Sequence, residues 1–188
     1  MKTGKLQTDL FDEEYFQKRG VNARVLEQVT LLAIELAREG REGRKIGTLF
    51  VVSDSDEVLK HSRPLILDPL KGHPDDRKKI DDSDFRETLK ELAQLDGAIV
   101  ISSDGVAVSA ARYLNASSEG IQLPLGLGSR HMAAASITRQ TKAVAVVVSE
   151  SSMVRIFDDG ELVSEIIPEL WMLRQFSSQI SGPSSRYT

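Results

Sequence analysis

Apolar side chains recur at Val25, Val29, Leu32, Ile34 and Leu36, close to the 3.6-residue period of an amphipathic helix over 21–39. Asn22 stands where an N-cap belongs, and Gly40 and Gly43 end the run. The rhythm then changes. "IGTLFVV" (46–52) is continuously apolar and rich in β-formers, the pattern of a strand covered on both faces. Residues 53–80 mix charge with proline and glycine, and predict a strand fragment followed by a long loop. "DDSDFRETLKELAQL" (81–95) predicts a capped helix with Phe85, Leu89 and Leu92 on one stripe. Two apolar runs, 96–102 and 106–114, flank Ser103-Asp104-Gly105 and read as a hairpin.

The second half continues the alternation. Small residues over 129–141 predict a helix, and "AVAVVVS" (143–149) another buried strand. "MVRIF" and "ELVSEI" flank Asp159-Gly160 as a further hairpin, and "PELWMLRQF" (168–176) predicts a short helix. The polar end, 177–188, is expected to fray, and residues 1–20 show no clear period. Mixed helices and strands with frequent hairpins specify an α/β fold, a single domain with a mixed central sheet flanked by helices.

Composition narrows the partners. The 188 residues suffice for one sizeable core, with 40% hydrophobic and 28% charged residues. A net charge of -4 argues against nucleic acid as the main partner, since phosphate-backbone binding needs a basic surface. There is no cysteine, which excludes disulfides, thiolate metal sites and cysteine nucleophiles. No apolar run approaches the roughly 20 residues of a membrane span, and "MKTGKLQTDLFDEEYF" lacks a signal-peptide core, so the expectation is a cytoplasmic protein without a membrane partner.

The candidate chemistry gathers at three points. "GLGSRH" (126–131) places two glycines before Ser129, Arg130 and His131 at the start of a helix. A cation in that first turn faces the positive end of the dipole unless an anion joins it, and exposed N–H groups beside an Arg suit phosphate. A glycine-rich turn with a solvated Arg and His fits the same residues. The stretch is not a Walker A loop, because it lacks the terminal Gly-Lys-Ser/Thr. Asp96 heads a strand and is followed by Gly97 and Ala98, either facing a cleft or closing a turn. Ser149-Glu150 ends the 143–149 strand with a further carboxylate.

The order of these pieces resembles the diadenylate cyclase domain, the nucleotide-binding domain of the DNA-integrity scanning protein family. The motifs that carry the likeness are Asp-Gly-Ala at 96–98, "RYL" at 112–114, Ser-Arg-His opening a helix, "VVVSE" at 146–150, and "PLKGHP" at 69–74. The likeness implies a cyclase domain over 46–168, preceded by a lead-in segment (1–20) and a helix with its linker (21–45), and followed by a tail (169–188). It implies condensation of two ATP into cyclic di-AMP with release of two pyrophosphates, in a homodimer or higher homo-oligomer with domains face to face, and with Mg²⁺ or Mn²⁺. Asp96 would lie near the 3′-hydroxyl and the metal, with Gly97 and Ala98 beside the nucleotide. Tyr113 and Leu114 would contact adenine. Gly128, Ser129, Arg130 and His131 would hold the phosphates, while Ser149 and Glu150 would complete the phosphate and metal shell. The chain departs from the family at two places, having Met132 where Arg-His-Arg is common and Leu95 where some members have His. Two rival readings follow, a binding module for ATP or cyclic di-AMP that has lost catalysis, and an oligomerisation domain without a ligand.

Overall fold

The computed structural model describes residues 13–117 and 119–173. Its strands are β1 (Thr48–Val52), β2 (Ser62–Pro64), β3 (Ala98–Ile101), β4 (Ala107–Leu114), β5 (Val144–Val148), β6 (Val154–Asp158) and β7 (Glu161–Ile166). They form one seven-stranded sheet in the order β2-β4-β3-β1-β5-β6-β7. β1 runs parallel to β3, while β1–β5, β2–β4, β3–β4, β5–β6 and β6–β7 are antiparallel, so the sheet is mixed as expected.

Helices cover both faces. They are α1 (Glu13–Arg19), α2 (Ala23–Glu39), α3 (Ser55–Lys60), α4 (Ser83–Leu92), α5 (Ser129–Gln140) and α6 (168–173). Side chains alternate across a strand, so β1 sends Phe50 and Val52 to one face and Leu49 and Val51 to the other. The first face packs with Leu26, Val29, Leu32 and Ala33 of α2 and with Phe85 and Leu89 of α4. The second packs with Val58 of α3 and with Ala134, Ala135 and Ile137 of α5. Because β1 and β5 are buried throughout, both read as continuous apolar runs in the sequence.

Caps fix the helix starts. Asn22 Oδ1 accepts from the N–H groups of Arg24 and Val25, and Asp82 Oδ1 from those of Asp84 and Phe85. α5 has no such cap, since Gly128 at its N-cap offers no side chain.

Two segments differ from the expectation. Part of the lead-in, 13–19, is helical, held by the buried Asp158 at the end of β6. That carboxylate accepts from Tyr15 Oη at 2.6 Å and from Arg19 Nη2 at 2.7 Å, a tie that spans most of the chain and leaves no local period. The expected 53–80 strand and loop opens with α3 and only then β2. α3 buries Val58 alone, so it has no apolar stripe to announce it. Residues 1–12 and 174–188, including the segment expected to fray, lie outside the described residues.

The sheet edges are short or charged. β2 has three residues and ends in Pro64, and β7 carries exposed Glu161 and Glu165.

Candidate active site

A cleft of about 470 Å³ opens where the start of β3, the end of β4 and the first turns of α5 meet. Its walls include Asp96, Gly97, Ala98, Tyr113, Leu114, Ser129 and Arg130, seven of the residues singled out in the sequence. Gly97 is required by its backbone. Its φ is +97°, and a Cβ there would lie 2.8 Å from Ala111 C and from Arg112 N and O. β3 can therefore lie against β4 at this point only with glycine, and the cleft floor follows from that contact. The opposing backbone is itself irregular: the β3–β4 register shifts between Ala98 and Val100, and Ala111 adopts φ +53°.

The charged residues meet at one end. Arg130 Nη1 lies 3.3 Å from Glu150 Oε1, and Nη2 lies 3.9 Å from Asp96 Oδ1. The carboxylates come from the ends of two strand segments on either side of β1, and the Arg side chain crosses the chain just ahead of β1 at Gly47. A Cβ on Gly47 would sit 2.5 Å from Arg130 Nη1, so that glycine gives the guanidinium its path. Asp96 is 91% exposed and Glu150 70% exposed, and exposed pairs contribute little to stability. Together these groups set a cation and two carboxylates beside the N–H groups of an uncapped helix N-terminus, an arrangement that offers donors to an anion and an acceptor to a proton.

His131 is placed elsewhere. It is buried against the opposite side of α5, where its Nε2 meets Arg155 Nη1 at 3.3 Å and its ring meets Phe157 edge-on. Arg155 Nε in turn bonds Glu165 at 2.7 Å. Burial, then the charges of Arg155 and Arg130, hold the imidazole below its ordinary pKa against the opposing pull of Glu165. Neutral His131 accepts the Arg155 proton at Nε2, which puts its own proton on Nδ1, a buried atom with no partner in the structure. Helical period carries the signal for this orientation: His131 shares the buried stripe of Ala134, Ala135 and Thr138. Ser129, Arg130, Met132 and Ala133 face the cleft.

Ser149 serves the turn after β5, where its hydroxyl bonds Ser151 and the backbone of Met153. Gly128 precedes the first turn of α5 without lining the cleft. Tyr113 presents an exposed ring with Arg63 Cζ 4.6 Å from its centroid, a cation–π contact at the cleft mouth. The sequence assigned no role to Gly47, Leu49, Leu65 or Arg112: Leu49 and Arg112 reach the cleft through strand pairing, Leu65 through its bond to the Ala111 carbonyl, and Gly47 through the path it leaves Arg130.

A mixed α/β sheet with a cleft at one end of its strands, bordered by a helix N-terminus and a guanidinium, is an architecture that can take a phosphate-bearing ligand. Residues 35–162 match the family DAC, DisA bacterial checkpoint controller nucleotide-binding, and the chain belongs to that family. It is 46% identical over 146 residues to a protein named diadenylate cyclase from Methanocaldococcus jannaschii, covering 77% of this chain and 46% of the relative. A diadenylate cyclase from Haloferax volcanii is also 46% identical, over 149 residues, covering 78% of this chain and 54% of the relative. The chain thus spans about half the length of the curated relatives it matches. The crystal structure of a double mutant of DacA from Staphylococcus aureus shares the fold, with a TM-score of 0.55 and 23% identity over 85% of this chain and 97% of that one.

Proposed function

We propose that this chain condenses two molecules of ATP into cyclic di-AMP, releasing two pyrophosphates. The observation that carries this reading is the meeting of Asp96, Arg130 and the N-terminus of α5 at one end of a cleft of about 470 Å³. Family membership and the names of the two archaeal relatives support it. In each half-reaction a ribose 3′-oxygen bonds to the α-phosphorus of the other nucleotide. The bond from that phosphorus to the bridging oxygen breaks, and pyrophosphate leaves. Asp96 accepts the hydroxyl proton at its carboxylate, Arg130 and the Ser129 N–H steady the phosphates, and Tyr113 and Leu114 border the base. The Gly97–Ala98 backbone gives the sugar close approach.

Mg²⁺ or Mn²⁺ fits the donor set. Asp96 and Glu150 would hold it through hard carboxylate oxygens, although no group of three His, Cys, Asp or Glu gathers among the described residues. Two protein carboxylates completed by phosphate and water match the way Mg²⁺ usually binds. When bound, the ion would supply Lewis-acid stabilisation of phosphate charge.

A cleft of this volume takes one nucleotide, so two copies of the chain face to face would supply the pair. No helix among the described residues is long and apolar enough to cross a membrane, and a cytoplasmic location supplies the ATP the reaction needs. A second reading, a nucleotide sensor without catalysis, draws on His131 lying away from the cleft and on Met132 lining it. Incubation with ATP and Mn²⁺ followed by mass spectrometry separates the two. Cyclic di-AMP supports the cyclase, whereas tight ATP binding without product supports the sensor.

A further inference from the structure

The loop between β2 and α4 contains the Asp68-Pro69-Leu70 segment, to which the reaction above gives no part. Asp68 is half-buried and fully engaged. Its Oδ2 accepts from Ser109 Oγ at 2.6 Å, and its Oδ1 accepts from Ala110 N–H at 3.2 Å and Leu70 N–H at 2.9 Å. Ser109 and Leu70 are buried, so both ends of this contact are anchored in the core.

Directly after Ser109 and Ala110 comes Ala111 at φ +53°, a conformation that an alanine in a strand avoids. Its carbonyl accepts from Leu65 N–H at 2.9 Å, a residue of the same loop that lines the cleft. On its other side the Ala111–Arg112 backbone forms the surface against which Gly97 packs, and Tyr113 and Leu114 follow at the cleft wall. The irregularity in β4 thus sets where the floor, the wall and the mouth of the cleft lie. An alanine left to itself would return to extended geometry and move all three.

We propose that Asp68 is a positioning residue for the nucleotide cleft, whose carboxylate pins Ser109 and Ala110 so that Ala111 keeps its left-handed turn and holds Gly97 and Tyr113 in register. The proposal rests on the nucleotide reading of the cleft, but its structural half does not.

The test compares Asp68→Ala, Asp68→Asn and Asp68→Ala combined with Ala111→Gly. Amide hydrogen exchange at Ala110 and Leu65 reads the turn without any nucleotide, and calorimetry with a non-hydrolysable ATP analogue reads the cleft. Asp68→Ala is expected to speed exchange at both amides at least tenfold and to weaken the analogue at least fivefold. Asp68→Asn keeps an acceptor for Ala110 N–H and a donor for Ser109 Oγ, so it should bind within about threefold of wild type. Glycine tolerates the left-handed conformation, so Ala111→Gly should restore at least half of the affinity lost in Asp68→Ala. Exchange unchanged in Asp68→Ala overturns the proposal. Loss of affinity in Asp68→Asn, or no recovery with Ala111→Gly, overturns it also, because the carboxylate would then act on the ligand or on the whole fold. If the wild type binds no ATP analogue, the nucleotide reading fails while the exchange data still decide the role of Asp68.

Discussion

Arg130 stands in the first turn of α5, where the helix dipole disfavours a cation by about 0.3–1 kcal/mol. Its contacts to Glu150 and Asp96, at 3.3 and 3.9 Å, offset that cost only in part because all three groups face water. A triphosphate offers closer, charge-assisted bonds worth about 1.5–3 kcal/mol each. Arg130→Ala should therefore weaken a non-hydrolysable ATP analogue by about tenfold or more in calorimetry, and undiminished affinity would remove Arg130 from the site. Asp96→Asn keeps shape and loses the proton acceptor, so product should vanish while analogue affinity stays within about tenfold. Turnover near the wild-type rate would reduce Asp96 to a turn residue. His131 makes a different kind of claim. Its pKa is lowered in the folded chain, so the unfolded chain binds the proton first, and stability falls as pH drops below about 6.5 toward the folded value. His131→Gln should flatten that part of the urea-stability profile between about pH 7.5 and 5.5; an unchanged slope would mean other groups set it. Asp96, Gly97 and Arg130, which line one cleft, were singled out by the order of motifs shared with the family, since the residues alone fitted plain turns as well. The inward turn of His131 was not anticipated: the expectation set it on the phosphates, although the buried stripe it shares with Ala134, Ala135 and Thr138 carries that signal. Gly47 and Asp68 were not legible, since each acts on a residue far along the chain.

Among the elements, α2 was the plainest in the sequence because its cap and its apolar stripe agree. Nine of its seventeen residues are buried, and they supply much of one sheet face. Asn22 accepts two N–H groups at its start, and removing such a cap costs about 0.5–2 kcal/mol. Asn22→Ala should lower unfolding free energy by about 1 kcal/mol in urea with an unchanged slope; no loss would mean that packing alone fixes this end. β1, β5 and the two hairpins were equally legible, since buried strands show as apolar runs and Asp159-Gly160 as a turn. α1 and α3 were not, and β2 was legible only as an unplaced strand fragment within 53–80. α1 depends on Asp158, more than a hundred residues away, and β2 on its pairing with the end of β4. Local composition carries neither contact.

Across the whole molecule, strand order lay beyond sequence reasoning, because β1 pairs with β3 and β5 through long-range contacts that no local pattern encodes. The cyclase reading needs two clefts, since the 3′-oxygen held by one copy must reach the phosphorus held by the other. Specific activity should then fall on dilution through the dimer dissociation range, and constant activity from a protein shown to be monomeric would sink the face-to-face arrangement. The edges of the sheet bear on how such pairs stop growing. Among the described residues, β2 and β7 each pair on one side only. A copy adding at β2 meets three residues ending in a proline, which lacks a donor, and one pairing its own β7 with this one brings the exposed Glu161 and Glu165 of both copies together. Neither edge is a template for ribbon growth. If copies pair cleft to cleft, as the cyclase reading requires, neither edge competes by offering a long open row of backbone donors and acceptors, and the open-ended stacking that ends in fibres has no ready starting point.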